Sequence, residues 1–239
     1  INYVPLISKM ADNVGIKLID VNFRNLYVSV GPDAKILEMS SNVPNLIQNC
    51  TVRDVVSDTG HGCVFYLEIG YVDVVDSSFY NCTTNFGVLS NYNPTDVYKV
   101  HMKVINCTFL DNYATVEPGA INNCGQLIVI NSTFTNNSAY WWAGAIHTHS
   151  EANSTLINST FTNNVAGWNG GALYTYSYLQ IYNCTFTGNN CTTNNGGGAI
   201  GACDYGSEYH ITIYDSAFIN NTNICWERGG DSPDGVGRG

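Results

Sequence analysis

His147 and His149 stand two residues apart, and 27 residues further on Tyr174 and Tyr176 repeat that spacing, with Tyr178 following. A tryptophan precedes each group: Trp141, flanked by Tyr140 and Trp142, and then Trp168. Side chains alternating at period two share one face of a strand, and successive aromatics on an outward face are not required by any core. Rings tipped with hydroxyl or imidazole groups among Asn and Thr suit a sugar, whose apolar face stacks on the ring while its hydroxyls meet the polar tips. The spacing therefore predicts that Trp141, Trp142, Trp168, His147, His149, Tyr174, Tyr176 and Tyr178 line a shallow exposed groove. For the two tryptophans the alternative is mutual stacking that only covers a glycine-rich turn.

Other chemistry finds less support. Glycoside hydrolysis needs two carboxylates facing each other across the scissile bond, about 5 to 9 Å apart. Asp73 faces Lys103 at the matching position of the next repeat, and Glu117, Glu151, Asp204 and Glu208 lie in loops near the aromatics without a spacing that forces them together. Arg24, Arg53, Arg228 and Arg238 do not stand beside a carboxylate cluster that could hold a lyase's calcium. The nine cysteines include no C-x-x-C pair for zinc. No catalytic residue, metal site or cofactor is assigned, and a polysaccharide lyase or glycoside hydrolase stands as the second reading.

The elements that must position the aromatics come from a repeat. Taking the Asn or Asp that opens each unit as an anchor gives Asp20, Asn49, Asp76, Asn106, Asn131, Asn158, Asn183 and Asp215, at intervals of 25 to 32 residues. Such a period marks a solenoid. Before the anchor, pairs such as Met102 and Val104 or Leu127 and Val129 alternate at period two, and after it a small residue and then a large one (Phe109, Phe134, Phe161, Phe186) point inward. A third inward segment follows glycines at Ala120-Ile121, Ala145-Ile146, Ala172-Leu173 and Ala199-Ile200. The expected fold is all-β: a right-handed parallel β-helix of about eight coils, each of three short strands, over residues 16–228. Like residues then stack about 4.8 Å apart. The phenylalanines should form one interior column and the anchor asparagines a hydrogen-bonded corner ladder.

The paired motif F-x-x-N and G-G-A-[ILV] is written here as Phe109 to Asn112, Phe134 to Asn137, Phe161 to Asn164, Phe186 to Asn189 and Phe218 to Asn221, with Gly170-Gly171-Ala172-Leu173 and Gly197-Gly198-Ala199-Ile200. It resembles the repeat of chlamydial polymorphic outer-membrane proteins and of the adhesin-like proteins of methanogenic archaea, over roughly Asp20 to Asn221. The richness in Asn, Thr and Tyr is more similar to the archaeal group. The resemblance implies a secreted, cell-surface adhesin that attaches to glycans or proteins of another cell and belongs to a longer polypeptide. The first three coils keep the strand pattern but lose most of the glycines. Thr133, Thr160 and Thr185, with Thr135, Thr162 and Thr187, form two outward files that resemble an ice-binding solenoid, a third and weaker reading.

Composition agrees with an exported surface protein. Only 12% of the 239 residues are charged and the formal net charge is −10, so no basic surface exists to collect nucleic acid. No apolar run is long enough to span a bilayer. Ten N-x-S/T sequons occur; at the five anchors the ladder should already hydrogen-bond the amides inside, and of the other five Asn81, Asn153 and Asn190, expected in loops, are the better glycan acceptors. Cys50, Cys63, Cys107 and Cys184 take inward small sites and should be buried thiols. Cys191 and Cys225 fall in the same loop of adjacent coils, where a disulfide is expected. Residues 1–15, with Pro5 placed to start a helix, should cap the first coil or form a partial one, and the Gly-rich residues 229–239 read as a tether.

Overall fold

The computed structural model describes residues 7, 14–28, 35–92, 100–193, 196–203 and 210–223. Most of the expected cap, the C-terminal tether and Cys225 lie outside the described residues, as do Asp204 and Glu208; of the cap, Ile7 forms a parallel bridge with Leu37.

Every paired strand among the described residues is parallel to its neighbours, and none of those residues is helical. The chain is a parallel β-helix. One coil illustrates the path. Strand Gln126–Ile130 ends at a corner at Asn131, Thr133–Thr135 ends at a second corner at Asn136, Ser138–Ala139 leads into the loop of Tyr140 and the tryptophans, and Ile146–Thr148 leads to Asn153–Ile157 of the next coil. Each coil thus has four short strands rather than three. The extra one has two residues, too short for a period-two pattern to register in the sequence.

Lys35–Gln48 and Cys63–Val75 each run through two positions that are separate strands later on, which joins those columns into a 13-stranded sheet. Thr51–Ser57 joins the other two columns into a 14-stranded sheet. The solenoid makes about six full turns, fewer than the eight coils expected. Eight anchors are present, but the first and last coils are only partly covered by the described residues.

Both corners have one cause. All eight anchors are left-handed, with φ between 49° and 58°, and so are Asn25, Asp54, Asn81, Asp111, Asn136, Asn163 and Asn220, five residues on. Asn and Asp tolerate this region because a short polar side chain hydrogen-bonds locally; Gly188 takes the position in its coil without a Cβ penalty. The corner side chains are exposed, not interior as expected, because a left-handed residue reverses the direction of its Cβ and throws it outward. Their ladder is a surface one, with Asn106 Nδ2 donating to Asp76 Oδ1 at 3.1 Å and Asn183 Nδ2 to Asn158 Oδ1 at 3.0 Å.

The interior ladder belongs to the other asparagine of the repeat. Asn112, Asn137, Asn164 and Asn189 are fully buried. Asn137 Nδ2 donates to Asn164 Oδ1 at 3.0 Å and to the Phe109 carbonyl at 3.0 Å, while Asn137 Oδ1 accepts from Asn112 Nδ2 at 2.9 Å. Beside it runs the phenylalanine column. From Phe79 through Phe109, Phe134, Phe161 and Phe186 to Phe218, successive centroids lie 4.7 to 4.8 Å apart with ring planes within 9°. Cys50, Cys63, Cys107 and Cys184 are buried as expected.

Candidate functional site

The glycine column beside the aromatic loops explains how tightly these loops are held. A Cβ on Gly119, Gly144 or Gly171 would come within 2.3, 2.2 and 1.9 Å of the carbonyl oxygen of the equivalent glycine in the next coil. Consecutive turns therefore stack backbone on backbone, and the residues before them are placed in register. Val116, Trp141 and Trp168 form one file, joined by backbone bonds from Trp141 N to Val116 O (3.0 Å) and from Trp168 N to Trp141 O (2.7 Å). The next residues, Glu117, Trp142 and Asn169, form a second file, in which Trp142 and Asn169 are bridged. Ala143 then takes a left-handed φ of 54°, matched by Gly170 at 69°. An alanine there carries roughly 1 to 2 kcal/mol of strain, and it follows directly on a tryptophan file that faces solvent and a second file that folds over the adjoining strand.

The outward file builds a ledge. Trp141 and Trp168 have ring centroids 5.1 Å apart, and Tyr140 packs edge-on to Trp141 at 5.1 Å. With Tyr113 and Thr192 they line an open groove of about 430 Å³. Trp141 is 36% and Trp168 43% exposed, and Tyr140 and Tyr113, which the sequence reading did not assign to the site, are 59% and 40% exposed. Tyr140 had a signal in the sequence, as the direct neighbour of Trp141, whereas Tyr113 opens the two-residue strand Tyr113–Ala114, an element too short to show there.

The remaining aromatic and histidine positions correct the expectation of one exposed groove. His147 is fully buried and Tyr174 is 4% exposed; Trp142, His149 and Tyr176 are half-buried. The two histidines and two tyrosines point to the outward side of Ile146–Thr148 and Leu173–Thr175 or just beyond them, but the inward-folded file of Glu117 and Trp142 covers that side. Trp142 stacks on Tyr174 at 6.1 Å and 11°, and His147 packs on His149 at 4.0 Å. Outward from the core is therefore not outward to water. Tyr178 is 45% exposed and stands apart from the ledge, 6.0 Å from His210.

Beneath the loops, Glu117, His147 and His149 converge, although no sequence spacing forces it. Glu117 Oε2 is 3.0 Å from His147 Nδ1, and donor atoms of all three lie within 4.8 Å of one another. His149 Nε2 is 2.8 Å from Asn122 Oδ1. Burial raises the Glu117 carboxyl to about 7, partly offset by His149. Burial lowers both imidazoles to about 3, and in His149 the neighbouring His147 adds to the effect against the pull of Glu117. These three side chains could hold a metal ion.

Two other groups of expected site residues separate as well. Asn81 occupies an exposed corner, its amide donating to Asp54 Oδ1 at 2.8 Å. Asn153 and Asn190, expected in loops, lie in strands Asn153–Ile157 and Asn190–Cys191 and are half-buried, because the short strands extend to the edges of the turns. Cys191 is buried, its Sγ donating to the Trp168 carbonyl at 2.9 Å.

Among the described residues, no helix is long and apolar enough to cross a membrane. No curated protein matches the chain. Residues 131–149 and 158–176, the two coils that carry both tryptophans of the ledge and both histidines beneath it, each match the Chlamydia polymorphic membrane protein repeat.

Proposed function

We propose that this chain is the adhesive part of a cell-surface protein and that the ledge of Tyr113, Tyr140, Trp141 and Trp168 binds a glycan of another cell. One observation carries the reading: four large aromatic side chains on three consecutive coils are 36 to 59% exposed where the core requires none of them. Aromatic faces held rigid beside hydroxyl groups such as that of Thr192 match the apolar face and hydroxyls of a sugar. The match of both coils to a repeat named for membrane proteins supports a surface location. Further domains of a longer polypeptide would anchor the solenoid. Of the three sequons expected to carry glycans, Asn81 is the most exposed.

A glycan array with the whole chain, run beside a Trp141→Ala/Trp168→Ala double variant, tests the reading. Binding to defined sugars is expected, with at least a tenfold loss in the variant. Its stability should fall by the aromatic contact, up to about 1.5 kcal/mol, plus the burial that the two partly covered rings lose, with the circular dichroism of the β-helix retained. Undiminished binding by the variant would remove the ledge from the site. Release of shortened oligosaccharides would replace the adhesin with a carbohydrate-active enzyme, and attachment only to a surface protein would replace the glycan.

A further inference from the structure

We infer that Glu117, His147 and His149 form a site for one divalent transition-metal ion of the zinc class, buried under the aromatic loops and tying one coil to the next. Glu117 belongs to the turn of one coil, whereas His147 and His149 lie on or beside the strand Ile146–Thr148 of the following coil. Two imidazoles and a carboxylate are a donor set that favours zinc and its first-row neighbours over calcium or magnesium, which take oxygen ligands. Tetrahedral zinc with bonds of about 2.0 Å sets its donors about 3.3 Å apart. The 3.0 Å between Glu117 Oε2 and His147 Nδ1 is already near that separation, and the 4.8 Å limit on the whole set leaves His149 to close by no more than about 1.5 Å.

The polar atoms at this point are otherwise unexplained. His147 is fully buried, and neither of its ring nitrogens has a hydrogen-bond partner; Glu117 Oε2 is also buried without one. The 3.0 Å approach of Oε2 to Nδ1 is close enough for an ion pair, but its geometry is not that of a ring N–H donating to a carboxylate. Buried polar groups lacking partners are uncommon and costly, and a cation between them would satisfy His147 Nδ1 and Glu117 Oε2 at once.

His149 is anchored to the strand of the preceding coil. Asn122 Nδ2 donates to Ser90 Oγ at 3.3 Å, which directs Asn122 Oδ1 to His149 Nε2 at 2.8 Å. An amide oxygen only accepts, so Nε2 carries the proton and Nδ1 keeps its lone pair, as when an outer partner fixes the tautomer of a metal-bound histidine. Cys124 is the register neighbour of His149 in the preceding coil, but it is not part of the convergent set, and burial holds its thiol well above the ordinary range.

The site does not depend on what the ledge binds. The test uses the full 239-residue chain, stripped with a chelator and titrated with cobalt(II), then with zinc(II) in competition. One equivalent of cobalt should bind with the visible bands of a four- or five-coordinate ion, and zinc should displace it. Glu117→Gln and His149→Gln should each weaken cobalt binding at least tenfold while the stripped variants keep the wild-type circular dichroism. X-ray absorption at the zinc edge of the wild-type chain needs no variant, and should report nitrogen and oxygen donors with imidazole scattering. Failure to bind one equivalent, binding unchanged in both variants, or sulfur scattering and thiolate-to-cobalt charge transfer would each overturn the assignment.

Discussion

The two asparagine positions of the repeat look alike in the sequence and differ in energetic role. Asn164 is fully buried and links Asn137 to Asn189: its Nδ2 reaches Asn189 Oδ1 at 2.9 Å and the Phe134 carbonyl at 3.0 Å, and its Oδ1 receives Asn137 Nδ2 at 3.0 Å. Replacing it with Ala leaves buried partners on both sides unsatisfied, at about 1 to 3 kcal/mol each. Asn131 stands exposed at a left-handed corner, so Asn131→Ala costs mainly the conformational penalty of about 1 to 2 kcal/mol. Chemical denaturation of the two variants should therefore rank Asn164→Ala as the more damaging, by about 2 kcal/mol or more. Equal losses would mean that the interior ladder contributes no more than the corner.

At the scale of elements, the strands that carry the phenylalanine column are only three residues long, as in Thr133–Thr135, and cannot hold register by themselves. The stacked ring in the middle of each does so. Phe134 is fully buried, with Phe109 and Phe161 at 4.7 and 4.8 Å on either side. Phe134→Ala should destabilise the chain by about 3 to 5 kcal/mol, through lost burial and a cavity that parallel neighbours cannot collapse to fill. Phe134→Leu should recover part of this loss. A Leu variant as unstable as the Ala variant in a thermal melt would show that planar stacking, and not volume, is what the column needs.

For the whole molecule, a solenoid's stability is approximately a sum over coils and their nearest-neighbour interfaces. The interior asparagine ladder runs only from Asn112 to Asn221, since Leu26, Val55 and Cys82 hold its place in the first coils. The flat phenylalanine stack begins at Phe79, whose register partner in the preceding coil is Val52. The middle coils thus have two continuous interior columns where the early coils have neither in full. Native-state hydrogen exchange should find the slowest amides between about Asn106 and Asn189 and faster exchange before Val75, because opening tracks local contact strength. Uniform protection along the chain would indicate a single cooperative unit.

The periodicity of the sequence determined the parallel β-helix, its corners and its phenylalanine column, because identical positions must stack on one another once the period is set. It located the two tryptophans of the ledge by the same alignment. It did not distinguish the exposed asparagine from the buried one, since both recur in the repeats from Asn106 to Asn189 and only the left-handed backbone at the corners turns one side chain out and leaves the other in. Nor did it reveal that His147 and Tyr174, outward on their strands, are covered. That was decided by the turn, in which close-packed glycines and the left-handed Ala143 precede the strand whose outer face Glu117 and Trp142 fold back over. Side-chain direction along a strand is local and repeats at period two, whereas burial depends on what another coil's loop lays over it, a contact between residues some 30 positions apart in Glu117 and His147.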